Sequence, residues 1–426
     1  MRIAMFTNSY LPQVGGVARS VERFTCAYRR LGHRVLVVAP EYREPSDDDP
    51  DVVRVPAIQH FNGSDFSVTL PVSLGLSEVI DDFQPEIIHA HHPFLIGNTA
   101  LRVAAERGLP LVFTHHTMYE HYTHYVPLHL EALRRYVLEL STGFANLSDR
   151  VIAPSRSVAE ILEQRGVRRP IAVVPTGVEL EQFERGDGAA FRRRHEIDSD
   201  AFVIGHVGRL APEKNLAFLA RAVADVLARR PRSGFVVIGA GVSRQAMRDI
   251  FAGANVLERV RFAGICTGSD LVDAYHAMDL FAFASKTETQ GMVLVEALAA
   301  GCPVAALDAP GAREVVRDGE NGRLIVCEDE AAFAEAIDWA ANLPAGRRER
   351  LRRRARQSAE PFSTDRCVRS TLDIYSQVLG QAGDRPAAEI TRWASLQRSL
   401  QREWDIWANR ARALAESIGT EPNGKS

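Results

Sequence analysis

The strongest constraint on the fold is one repeated pattern: a short apolar run that ends in a polar cluster and gives way to an amphipathic stretch. The chain opens with such a run from Arg2 to Thr7, followed by a helical periodicity from Val17 to Leu31 and a second run from Arg34 to Ala39. This is a β-α-β unit. Further strands are predicted over Ile87 to Ala90, Leu111 to Thr114, Val151 to Ala153 and Ala172 to Val174. The second half repeats the scheme, with runs at Phe202 to Val207, Phe235 to Ile238, Val260 to Ala263, Leu280 to Ala284, Val304 to Leu307 and Arg323 to Val326, and a helix from Asn215 to Arg229. Runs this short and this uniformly apolar fit parallel strands covered by helices on both faces. The fold class is therefore α/β, with two doubly wound, Rossmann-like parallel-sheet domains in succession.

The charged stretch from Glu179 to Asp200, with Gly186-Asp187-Gly188 and three arginines at 192–194, reads as the boundary. The division is then an N-terminal domain over 1–185, a linker at 186–200, a second domain over 201–360, a helix at 361–380 returning to the first domain, and a helical extension over 381–426. Open parallel sheets bind ligands beyond the carboxyl ends of their strands, so two such domains facing each other would enclose one cleft.

Composition narrows the classes. A formal net charge of -3 gives no general attraction to polyanions, and no nucleic-acid partner is expected. Five scattered cysteines without a Cys-x-x-Cys pair suit a reducing cytoplasm. The opening residues enter a strand pattern directly, and no apolar run approaches the ~20 residues of a membrane span. A cytoplasmic location is expected, at the inner face of the cell membrane if the acceptor is a lipid.

Three segments carry candidate chemistry. Gly15 and Gly16 join the first strand to the first helix, where a backbone can approach an anion closely. Gly208-Arg-Leu-Ala-Pro-Glu-Lys-Asn places Arg209 and Lys214 beyond a strand end, as a fork and a point charge able to hold a diphosphate. Ser285 to Gly301 follows another strand and sets Glu288 and Glu296 eight positions apart. Gly291 is predicted to open a helix whose first N–H groups, at Met292 and Val293, face an anion. Glu296 lies within an apolar run, which argues against a surface charge, and its two oxygens suit vicinal hydroxyls.

Together these motifs resemble family 4 of the retaining glycosyltransferases, which have the GT-B fold. The resemblance spans about Met1 to Leu379. It implies that Arg209 and Lys214 hold the diphosphate of a nucleotide-sugar donor, that Glu296 takes the ribose hydroxyls, and that Glu288 binds the transferred sugar. It further implies that Gly16 approaches the phosphates and that Ile265 lies near the base. No cofactor is expected, and no metal, because Arg209, Lys214 and helix N–H groups take its place. Thr289-Gln290 stands where many members have Ser-Phe.

Nine of the 13 histidines lie between His60 and His129, among them His89, His91, His92, His115 and His116. Such a cluster also suits a metal-dependent hydrolase, although Asp and Glu ligands at the matching strand ends are sparse. The family resemblance instead makes His116 the active-site histidine. The run from His116 to Pro127, with Tyr119, His121, Tyr122, His124 and Tyr125, looks like the acceptor region of the membrane-lipid glycosyltransferases that glucosylate diacylglycerol. Aromatics interleaved with polar groups suit an interfacial lipid. The expected partners are a nucleoside-diphosphate sugar, UDP-glucose foremost, a lipid acceptor and a membrane surface. GDP-mannose as donor and a soluble or polyprenyl-linked glycan as acceptor stay open.

Past Gln381, Ile390, Trp393, Leu396, Leu400, Trp404, Trp407, Ala411 and Leu414 line one helical face. The ordinary expectation is that this face packs on the body of the protein, with membrane contact as the alternative. The basic run from Arg347 to Arg356 reads as a solvated helix face.

Overall fold

A computed structural model describes residues 1–13, 15–42, 49–58, 68–69, 75–119, 131–383 and 392–418. Two compact units divide them: Met1–Gly177 together with Asp365–Ser426, and Val178–Thr364.

In the first unit the chain runs through β1 (Arg2–Phe6), α1 (Gly16–Arg30), β2 (Arg34–Pro40), β3 (Val52–Val55), β4 (Ala57–Ile58), β5 (Val68–Thr69), α2 (Leu76–Phe83), β6 (Ile87–Ala90) and α3 (Ile96–Arg107). It continues with β7 (Leu111–Thr114), α4 (Glu131–Leu147), β8 (Arg150–Ala153), α5 (Arg156–Gln164) and β9 (Ile171–Val173). Seven strands form one parallel sheet in the order β3-β2-β1-β6-β7-β8-β9, and β4 pairs with β5 in a separate antiparallel ribbon. Side chains alternate across the sheet: Ile3 and Met5 point to the layer holding Val21 and Tyr28 of α1, while Ala4 and Phe6 point to the layer of α2, α3 and α5.

The second unit contains α6 (Gly188–Arg194), β10 (Phe202–Val207), α7 (Leu216–Arg229), β11 (Ser233–Ile238), α8 (Arg244–Gly253), β12 (Val260–Gly264) and α9 (Gly268–Ala277). There follow β13 (Leu280–Phe283), α10 (Met292–Ala299), β14 (Val304–Leu307), α11 (Ala312–Val315), β15 (Gly322–Ile325), α12 (Glu330–Ala341) and α13 (Ala345–Ala359). Its six parallel strands run in the order β12-β11-β10-β13-β14-β15. In both sheets the first strand lies inside and the order reverses beside it, so the topological switch points lie between β1 and β6 and between β10 and β13.

The stretch 186–200, read from composition as a linker, is part of the second unit. Phe191 is buried in its core, Gly186 and Gly188 allow close contact with His276, and Arg192 donates to Ala277 O at 2.7 Å and pairs with Asp279 at 2.9 Å. The basic run is α13, which buries Leu351, Ala355 and Ala359 and pairs Arg352 with Asp279 at 3.0 Å.

After Thr364 the chain rejoins the first unit as α14 (Thr364–Gly383) and α15 (Arg392–Ile418). Tyr375 of α14 is fully buried beside Tyr28. α15 packs on α3 and α4 and adds Ile406 to the core. Its register is antiparallel to α4: Arg402 donates to Leu147 O at 3.1 Å, Asn409 to Leu140 O at 3.2 Å, and Arg135 to Ser417 O at 3.2 Å. The expectation that the apolar stripe packs inward is wrong for the residues described. Trp404 and Trp407 are 71% and 62% exposed, and Leu400 and Leu414 also face outward. The docked face is that of Ile406, Asn409 and Ala413, with the Arg398 and Arg402 heads bonded to backbone carbonyls.

Candidate functional site

In the second unit the candidate residues converge at the switch point. The loop after β10 is laid against the loop after β11: Gly208 N donates to Ile238 O at 3.0 Å, Leu210 N to Ala240 O at 2.8 Å, and Ser243 N to Leu210 O at 2.9 Å. Only glycine is tolerated at 239, because a Cβ there would stand 1.9 Å from Gly208 O. Arg209 is thereby held between two anchored neighbours, and its guanidinium pairs with Glu213 at 2.7 Å. The Glu213 side chain is only 3% exposed, and its Oε2 has no hydrogen-bond partner among the described residues.

Lys214 forms an ion pair with Glu288, which joins the loop after β10 to the loop after β13. Gly291 caps α10 at φ +73°, a left-handed conformation that favours glycine, and the helix starts at Met292 with Val293 in its first turn. Glu296 is 3% exposed and accepts a hydrogen bond from Tyr275 Oη at 3.0 Å, so the surface-charge alternative fails. Ile265 stands exposed beyond the end of β12.

Beneath Gly208, His206 of β10 directs Nδ1 to Ala282 O at 3.1 Å and lies parallel to Phe281. Burial foremost holds its pKa down to about 4, with Lys214 adding to the effect. Glu213, Tyr275, His206 and Gly239 were not singled out in the sequence. The Pro-Glu-Lys and Gly-Ala-Gly segments held the signal for Glu213 and Gly239, whereas Tyr275 and His206 gave none, since each sits in an ordinary helix or strand pattern.

The first unit carries a separate cluster at its own switch point. His92 Nδ1 accepts from Asn8 N at 3.0 Å, tying the loop after β6 to the loop after β1. His89 is engaged at both nitrogens, by Tyr375 Oη at 2.5 Å and Thr114 Oγ1 at 2.7 Å. The two contacts of His89 fix its ring within the core of the unit. His91 Nδ1 meets His116 Nε2 at 2.9 Å, and the rings stack. Desolvation keeps the cluster neutral: His89, His92 and His115 are pulled to about 3, His116 to about 4, and His91 well below the usual range. His91 Nε2 is buried without a partner among the described residues. A buried N–H without an acceptor is rarer than an unpaired acceptor, which favours a proton on His91 Nδ1, donated to His116 Nε2, and leaves His116 protonated at Nδ1. No group of three His, Cys, Asp or Glu among the described residues is arranged to hold a metal.

Gly15 and Gly16 are exposed at the start of α1. Tyr119 packs edge-on against Phe94 and His115. His121, Tyr122, His124 and Tyr125 lie outside the described residues.

Two Rossmann-like units of this topology, each with polar groups gathered at its switch point, define the GT-B class of glycosyltransferases. The profile of Glycosyltransferase Family 4 matches residues 14–182, and that of Glycosyl transferases group 1 matches 187–358. The chain belongs to glycosyltransferase family 4. It is 30% identical over 340 residues to the alpha-monoglucosyldiacylglycerol synthase of Streptococcus pneumoniae, covering 78% of this chain and 77% of that one. It is also 30% identical to the GDP-mannose-dependent alpha-mannosyltransferase of Mycolicibacterium smegmatis, covering 91% and 100%. Among solved structures, Anabaena HepE in complex with UDP and glucose shares the fold at a TM-score of 0.68 and 23% identity, covering 88% of this chain and 100% of that chain. The protein is a glycosyltransferase, and the hydrolase alternative falls with that assignment.

Proposed function

We propose that the protein transfers a glucosyl group from UDP-glucose to the hydroxyl of a membrane lipid such as diacylglycerol, with retention of configuration and without a metal ion. The observation that carries this reading is the Lys214–Glu288 pair between the loops after β10 and β13, with Arg209 anchored beside it and α10 starting at Gly291–Met292. The similarity to the pneumococcal alpha-monoglucosyldiacylglycerol synthase supports the choice of glucose and of diacylglycerol.

On binding, Lys214 exchanges its carboxylate partner for a phosphate oxygen, which frees Glu288 for the sugar hydroxyls. Arg209 and the first N–H groups of α10, at Met292 and Val293, take the remaining diphosphate charge, while Gly16 lets backbone approach the phosphates. Glu296, oriented by Tyr275, receives the ribose hydroxyls, and Ile265 lies near the base. As the glycosidic bond breaks, these positioned charges stabilise the leaving diphosphate. One of its oxygens accepts the proton of the attacking lipid hydroxyl on the same face of the sugar, so no enzymic base is needed. His116, neutral and protonated at Nδ1, acts as a hydrogen-bond donor to the sugar. Tyr119 and the segment containing His121, Tyr122, His124 and Tyr125 receive the acceptor, and the protein works on the membrane surface.

Incubation with UDP-glucose, GDP-mannose and related donors, with and without diacylglycerol vesicles, tests substrate choice, and proton NMR of the product tests the stereochemistry. An α-linked glucolipid formed equally well in EDTA is expected. A β-linked product or transfer only from GDP-mannose would overturn the reading.

A further inference from the structure

No described helix is long and apolar enough to cross a membrane. We propose that the outward face of α15 is the surface on which this protein docks to a lipid bilayer, an inference that rests on the reading of a membrane-lipid acceptor.

At 100° per residue, Leu400, Trp404, Trp407, Ala411 and Leu414 form one stripe, opposite the docked Asn409 and Ala413. It is about 21 Å long at 1.5 Å per residue. A helix with one face bound to its own protein has little reason to carry two exposed tryptophans on the other unless that face has a partner. Three features favour a bilayer interface over a second copy of the chain. Tryptophan combines an apolar ring with an N–H and prefers the headgroup boundary. The exposed stripe amounts to roughly 500 Å² of side chain, short of the ~800 Å² per partner of a stable dimer. A cation lies against it, since Arg410 sits over the Trp407 ring at 5.4 Å, whereas the nearby Glu403 carboxylate is already paired with Arg102. Anionic headgroups complement that arrangement.

The register of α15 also connects this face to the chemistry. Because α15 runs antiparallel to α4, its Leu414 end lies beside the start of α4. Helix α4 is described from Glu131, shortly after Pro127, where the proposed acceptor run from His116 ends in the sequence. A bilayer against the stripe therefore meets the side of the unit that holds Glu131, which is close in the chain to the acceptor run.

Flotation of the full chain with phosphatidylcholine vesicles, alone and with phosphatidylglycerol added, tests the proposal. The wild type should float with the vesicles, more completely with phosphatidylglycerol, and its tryptophan emission should shift to the blue. Trp404→Ser and Trp407→Ser should each weaken partitioning about tenfold, and the double variant about a hundredfold. Leu400→Gln with Leu414→Gln gives an independent pair if the serine variants lose their circular dichroism. Transfer to a water-soluble short-chain diacylglycerol should stay within about twofold of wild type in all of them. Failure of the wild type to float, unchanged flotation of the double variant, or conversion of a wild-type dimer to monomer by the substitutions would overturn the docking face. Flotation that depends on the stripe, in a protein that glucosylates no lipid, would support the docking face and refute the acceptor reading instead.

Discussion

Gly239→Ala tests whether the backbone contact between two loops sets the position of Arg209. The added methyl would stand 1.9 Å from Gly208 O, about 1.1 Å inside the 3.0 Å that real Cβ contacts respect. The φ of +131° at Gly239 adds strain of roughly 1 to 3 kcal/mol for any other residue. Relief comes by moving the Gly208–Leu210 loop, since β11 is fixed by pairing on both sides. A shift of about 1 Å at a positioning element costs roughly a hundredfold in rate, equivalent to about 2.7 kcal/mol. Titration with UDP by calorimetry and steady-state kinetics with UDP-glucose should show this loss in kcat/KM, with circular dichroism unchanged. UDP affinity within twofold of wild type in Gly239→Ala, alongside a large loss in Arg209→Ala, would refute the positioning role of this contact.

Arg209→Ala and Lys214→Ala should each weaken UDP binding by about ten- to a hundredfold, the worth of a charge-assisted hydrogen bond, as measured by calorimetry. Glu288→Ala releases Lys214 from its carboxylate, so UDP should bind as well as to wild type or a few-fold tighter while UDP-glucose turnover collapses; parallel loss of both would contradict the proposed exchange of partners. Stability should fall as pH drops from 6.5 toward 4. The buried histidines of the first unit stay neutral until about 4 or below, whereas unfolded imidazoles protonate near 6.5, so the unfolded state binds more protons in this window. Each such imidazole withdraws about 1.4 kcal/mol by pH 5.5, which thermal melts at pH 7.5 and 5.5 would register, with a smaller drop in His89→Gln. Tyr375→Phe removes the hydroxyl that meets His89 Nδ1 and should cost about 1 to 3 kcal/mol in urea unfolding.

Much of the fold was legible because parallel strands buried on both faces must be apolar throughout, and the predicted runs at Ile87 to Ala90, Leu111 to Thr114, Phe202 to Val207 and Val304 to Leu307 coincide with β6, β7, β10 and β14. β3 went unseen because Val52-Val-Arg-Val is short and carries an arginine, whose head bonds to Pro40 O and Leu11 O. The stretch 186–200 looked like a linker because glycine and arginine suggest exposure; here the glycines permit close packing and Arg192 spends its charge on buried carbonyls. Periodicity found the stripe on α15 but not its direction. It says which residues share a face, and only the opposing surface of α3 and α4, with its carbonyls and Gly143 under Asn409, decides which face is taken. The carboxylates and cations of the second unit could be placed at strand ends from the sequence alone, whereas the contacts that orient them, from Tyr275 and Gly239, depend on strands far apart in the chain.

The second unit is inserted within the first, between Gly177 and Asp365. Synthesis from the amino terminus therefore delivers the seven-stranded sheet long before α14 and α15 leave the ribosome. Until then His89 has no Tyr375 to meet, Tyr28 lacks its aromatic neighbour, and the surfaces of α3 and α4 that receive Ile406 and Ala413 stand uncovered. The inserted unit, by contrast, is contiguous and can close its own sheet as soon as it emerges. The second unit is thus able to mature first, and the histidine cluster of the first unit is assembled last, so a truncated product of translation would carry a closed second unit and a first unit that lacks Tyr375.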